Sequence, residues 1–158
     1  LRGSESPWAA KALAILKALT GKQPNEPRNE RDEQFALEYC WAQLIWGDSS
    51  QATRIAKGFQ EHYARREQLD WSYRNVCLDF LASEKSEEDL KKLKQLALGS
   101  YRASSQINFT LGLYELAKGR EDEAHRLLSH ARDTGQIGLS SQSWATAILN
   151  RWPLIVGD

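Results

Sequence analysis

Helix-forming segments separated by glycine or proline fill almost the whole chain. This alternation limits the possible folds more than any other feature of the sequence. Residues 8–19, for example, are rich in Ala, Leu and Lys, which have high helix propensity. Ser6 and Pro7 suit the cap and first turn of that helix, and Gly21 suits a left-handed C-terminal cap. Because no strand pattern or hairpin dipeptide interrupts the alternation, the sequence predicts an all-α fold.

The same signals place the boundaries of about eight helices. Gly47, Gly119 and Pro153 are the clearest stops, and the polar residues 21–30 separate the first helix from the rest. The expected helices cover residues 7–20, 32–46, 49–66, 71–82, 86–98, 104–118, 121–132 and 141–152.

Composition favours one domain and disfavours nucleic acid as a partner. The chain has 158 residues, enough for a sizeable core, and its 21 Lys and Arg balance 21 Asp and Glu. A nucleic-acid binder usually carries a basic excess, because phosphate contacts displace counterions. The short basic run at residues 91–94 is therefore interpreted as a solvated helix face. A helical nucleic-acid binder using Arg54, Lys57, Arg65 and Arg66 is the weakest alternative.

Residues 108–131 carry the most informative pattern. A Leu-Gly pair, a turn glycine and a small–large–small series follow one another as Leu111–Gly112, Gly119, and then Ala124, Leu128 and Ala131. Small side chains at Gly112 and Ala124 would let two antiparallel helices approach closely, while Leu128 fills the groove between them. This pattern resembles the tetratricopeptide repeat.

Two earlier stretches fit the same frame. The first has Tyr39 and Cys40 at the Leu-Gly position, Gly47 at the turn, and the series Ala52, Ala56 and Phe59. The second has Cys77 and Leu78, then Lys85 at the turn, and the series Leu90, Lys94 and Ala97. The expected repeats are residues 33–66, 71–99 and 105–135, and the middle copy is degenerate because a lysine replaces an apolar residue.

The resemblance implies a single domain over residues 5–158, with helix pairs stacked as a right-handed superhelix. Helices at 7–20 and 141–152 would flank the repeats. Family knowledge implies a non-catalytic scaffold that binds a protein or peptide partner in the concave groove. The groove residues expected in this register are Glu38, Trp41, Ile45, Asn75, Asp79, Phe109, Leu113 and Leu116. The alternative is that Trp41, Phe109 and Leu113 complete the core.

Trp144 and Trp152, two helical turns apart, are expected to share one face of the last helix. That face either caps the stack or docks a neighbouring domain or a second copy of the chain. Docking would make the chain a regulatory or oligomerisation domain of a larger protein.

No motif in the sequence predicts catalysis, a cofactor or a metal. His125 and His130 are five residues apart and do not share a helix face as metal pairs do, and HExxH, GxSxG and phosphate-loop motifs are missing. Cys40 and Cys77 form no CxxC pair and are interpreted as small buried hydrophobes. One disulfide between neighbouring helices is the alternative, and it would indicate an oxidising compartment.

The sequence carries no recognisable membrane or targeting signal. No apolar run approaches the roughly 20 residues that span a bilayer, and no signal peptide is visible. The chain contains no Met, and residues 1–4 resemble a vector-derived remnant. We therefore expect a piece excised from a larger or anchored protein, from either the cytoplasm or the periplasm.

Overall fold

The computed structural model describes residues 30–46, 49–62, 73–135 and 138–156, and over these ranges it contains helices and turns but no strand. The helices are α1 (Glu30–Trp46), α2 (Ser49–His62), α3 (Tyr73–Ala82), α4 (Glu87–Leu96), α5 (Tyr101–Ala117), α6 (Glu121–Thr134), α7 (Ser140–Leu149) and α8 (Trp152–Val156). The predicted all-α fold with about eight helices is confirmed. The expected helix at 7–20 and the turn at Gly47 lie outside the described residues.

The chain divides into two compact units, with the boundary between Ser86 and Glu87. This boundary falls inside the expected middle repeat, residues 71–99, so α3 and α4 belong to different units. The prediction of one domain over residues 5–158 stays a prediction.

In the unit before Glu87, α1 packs against α2 and α3, and α2 packs against α3. The core between these helices contains the buried side chains of Leu37, Cys40, Trp41, Ala52, Ala56, Phe59, Cys77, Leu78 and Leu81. The Cys40 thiol also donates a hydrogen bond to the Ala52 carbonyl, with 3.5 Å between Sγ and O. The small–large series that the repeat frame places on α2 is therefore buried, as expected.

Both cysteines are free thiols with fully buried side chains. Burial raises the pKa of the Cys40 thiol, because a thiolate there would lose its hydration. The structure thus agrees with the interpretation of Cys40 and Cys77 as small buried hydrophobes.

In the unit from Glu87 onward, α5 is the central helix, and α4, α6 and α7 each pack against it. Thirteen successive residues of α5, at positions 103–115, are buried. Several of them are polar and form hydrogen bonds within the helix. Asn108 Nδ2 donates to the Ser104 carbonyl at 2.8 Å, and Thr110 Oγ1 donates to the Gln106 carbonyl at 2.9 Å. These bonds compensate for the loss of water around the buried polar groups.

Gly112 allows a close approach between α5 and α6. A Cβ atom at this position would lie 2.8 Å from Leu128 Cγ and 3.3 Å from the Leu128 backbone nitrogen. Ala124, Leu128 and Ala131 on α6 are all fully buried. The predicted close packing of this helix pair is confirmed.

Lys85 and Gly119, which hold the same position in two copies of the repeat frame, both have a left-handed backbone, with φ of 58° and 73°. Glycine adopts this conformation without a steric penalty, whereas lysine does so uncommonly. The Lys85 N–H donates to Ser83 Oγ at 3.0 Å, and Lys85 Nζ donates to Thr53 Oγ1 at 3.0 Å. These bonds stabilise the turn after α3 without a glycine.

The turn between α5 and α6 is closed by a salt bridge. Glu115, a buried residue near the end of α5, pairs with Arg120, with 2.6 Å between Oε2 and Nε. The Arg120 backbone N–H also donates to the Glu115 carbonyl at 3.0 Å. The Arg120 guanidinium thus compensates the charge of a carboxylate that is buried in the helix pair.

The expected helix at 141–152 is two helices, because α7 ends at Leu149 and α8 begins at Trp152. Between them, the Arg151 N–H donates to the Ile148 carbonyl at 3.0 Å and forms a turn. Pro153 lies in the first turn of α8, where a missing N–H costs little. Pro153 therefore follows the start of a helix and does not end one.

Candidate functional site

The apolar residues expected in a concave groove are buried in the structure. Trp41 and Phe109 are fully buried, and Leu113 and Ile45 are nearly so. They lie on α1 and α5, which each pack against two or more other helices of their own unit. In this conformation the four side chains complete the cores of the two units and are not accessible to a partner.

The other expected groove residues keep some exposure, and they are divided between the two units. Glu38 on α1 is half-buried and accepts a hydrogen bond from Gln34, and Asn75 Oδ1 on α3 accepts one from Gln60 Nε2 at 3.0 Å. Asp79 on α3 is exposed. Leu116 is half-buried and belongs to the other unit.

Trp144 and Trp152 lie on different helices and each contacts an aromatic ring of its own unit. Trp144 packs edge-on against Phe109 of α5, with 6.4 Å between the ring centroids. Trp152 packs edge-on against His125 of α6, with 5.0 Å between the centroids. Both indoles are half-buried, and their contacts attach α7 and α8 to the α5–α6 pair. This geometry favours the capping interpretation of the two tryptophans.

The histidines with described side chains have partners within the fold. Besides the contact of His125 with Trp152, His130 Nε2 lies 3.3 Å from Ser104 Oγ. Among the described residues, no group of three or more His, Cys, Asp or Glu side chains is placed to hold a metal ion.

An apolar depression on α4 is the surface feature that the sequence analysis missed. It has a volume of about 410 Å³ and is lined by Glu87, Leu90, Lys91, Lys94, Gln95 and Leu98. These residues recur every three or four positions and therefore share one side of α4. A different side, with Leu93 and Ala97, is buried. The basic run at 91–94, interpreted as a solvated face, therefore borders an apolar surface.

Two large apolar side chains that follow α4 in the chain are exposed. Leu98, in the turn that follows α4, is 88% exposed, and Tyr101, at the start of α5, is 72% exposed. The turn between them is defined by hydrogen bonds, since the Gly99 N–H donates to the Leu96 carbonyl and Ser100 Oγ accepts from the Ala103 N–H. The turn that carries the two side chains is therefore flanked by regular helical backbone on both sides.

Charges of both signs lie beside the depression, since Glu87 lines it together with Lys91 and Lys94. Lys94 lies 3.9 Å from Glu123 Oε1, but Arg126 already binds both oxygens of that carboxylate at 2.7 Å. The Arg126 hydrogen bonds lower the pKa of Glu123 and keep it ionised. The Lys94 side chain remains 56% exposed, and Lys91 is exposed as well.

No family model, curated protein or solved structure matches the chain. Within the described ranges, no helix is both long enough and apolar enough to cross a membrane. The packing of the helices and the exposed surface at α4 are therefore the observations from which a function can be argued.

Proposed function

We propose that this chain is a non-catalytic scaffold of tetratricopeptide-like helix pairs that binds another protein or a peptide. The observation that carries the proposal is the exposure of Leu98, which lines the apolar depression on α4, and of Tyr101, three residues further along the chain. We take these exposed apolar side chains, bordered by polar residues, as the contact surface for the partner.

The packing within each unit supports the tetratricopeptide-like arrangement. In one unit α1, α2 and α3 pack pairwise, and in the other α5, α6 and α7 do the same. A repeat stack requires this pattern, because the first helix of each pair contacts its own second helix and the first helix of the next pair. The left-handed turn residues Lys85 and Gly119, one repeat length of about 34 residues apart, agree with the same frame.

Because the expected groove residues are buried, we propose a contact surface elsewhere on the chain. Trp41, Phe109 and Leu113 are excluded from water and so have little apolar area left to offer a partner. Leu98 and Tyr101 still have most of their surface in water, and covering them would be favourable. We therefore place partner contact on the α4 side.

The function is tested by affinity capture with the full chain and two matched variants. Leu98→Asp places a charge on the proposed surface, while Leu154→Asp makes the same change at a second exposed leucine, 81% exposed, on α8. We expect a protein partner that binds the wild-type chain and the Leu154→Asp variant but not the Leu98→Asp variant. Capture of no partner, or equal capture by all three chains, would contradict the proposal.

A further inference from the structure

No further inference is drawn: the strongest candidate, the apolar depression on α4, belongs to the surface already described, is bordered by charges of both signs, and nothing in the part of the chain that the structure describes shows what covers it.

Discussion

Ser105 Oγ on α5 lies 2.8 Å from Ser141 Oγ on α7, and both side chains are fully buried. Ser105 also donates its hydroxyl hydrogen to the Ala131 carbonyl at 2.9 Å. Since one hydroxyl has one hydrogen, Ser141 must donate to Ser105. Ser105 therefore connects α5 with both α6 and α7.

This donor order predicts unequal costs for removing the two hydroxyls. Ser141→Ala leaves the bond from Ser105 to Ala131 intact and should lower the free energy of unfolding by about 1 kcal/mol. Ser105→Ala leaves the Ala131 carbonyl and the Ser141 hydroxyl without this partner, and should cost roughly 1–3 kcal/mol. Urea unfolding followed by circular dichroism measures both, with the exposed Ser143→Ala on α7 as control. Equal costs would contradict the assigned order.

Gly112→Ala should destabilise the fold because the new Cβ would overlap Leu128. The contact would be 2.8 Å from Leu128 Cγ, so either the side chain or the helix must move, at a cost of roughly 1–3 kcal/mol. In a Leu128→Ala background the overlapping side-chain atoms are gone, and Gly112→Ala should cost less. A double-mutant cycle of unfolding free energies measures this coupling. Strictly additive costs would mean that Leu128 does not limit the space at Gly112.

Two glycines should respond to alanine with opposite signs. Gly119 has a left-handed backbone, so Gly119→Ala should cost about 1 kcal/mol. Gly58 lies inside α2, and Gly58→Ala should stabilise the chain by roughly 0.5–1 kcal/mol through higher helix propensity. Neither site has a neighbouring atom within 4 Å of the new Cβ, so the backbone decides both outcomes. Thermal and urea unfolding of the two variants measure the signs, and a shared sign would be incompatible with the described turn.

The two thiols should be unreactive in the folded chain. Cys40 and Cys77 are fully buried, and burial raises the pKa of Cys40, which disfavours the reactive thiolate. Ellman's reagent should therefore label neither thiol at pH 8 under native conditions and both in denaturant without a reductant. Rapid labelling of a native thiol would contradict the described burial. Failure to label either in denaturant would indicate a disulfide.

The repeat frame predicted the helix pair α5–α6 well because its signals are local. Small residues mark each feature of this pair. Gly112 and Ala124 mark the two close approaches of the helices, and Gly119 marks the turn between them. In the α4 copy the frame placed Lys94 in the inward series, but Leu93 is buried and Lys94 is exposed. Burying the Lys94 ammonium without a partner would cost more free energy than turning the helix by one residue so that Leu93 faces inward.

The candidate site could not be found from periodicity alone. Leucines at positions 90, 93 and 98 look equivalent in the sequence, and only tertiary packing buries Leu93 and leaves Leu98 in water. Periodicity also could not decide whether the expected groove exists. Trp41 and Phe109 give the same apolar pattern whether a partner or the core covers them. The start of α5 was placed late for a different reason. Ser100 caps this helix by accepting from the Ala103 N–H, and so α5 begins at Tyr101.

The continuous burial of residues 103–115 makes α5 the part of its unit that opens last. Helices on several sides shield its backbone amides, so local fraying cannot expose them, and their hydrogens can exchange with solvent only when the surrounding helices separate. The short α8 is held through Trp152 and the buried Ile155 but leaves Leu154 in water, so it should open at a lower free energy than that centre. Exchange at the middle of α5 would thus report the unfolding of the whole unit, while exchange in α8 would report a separate and easier event.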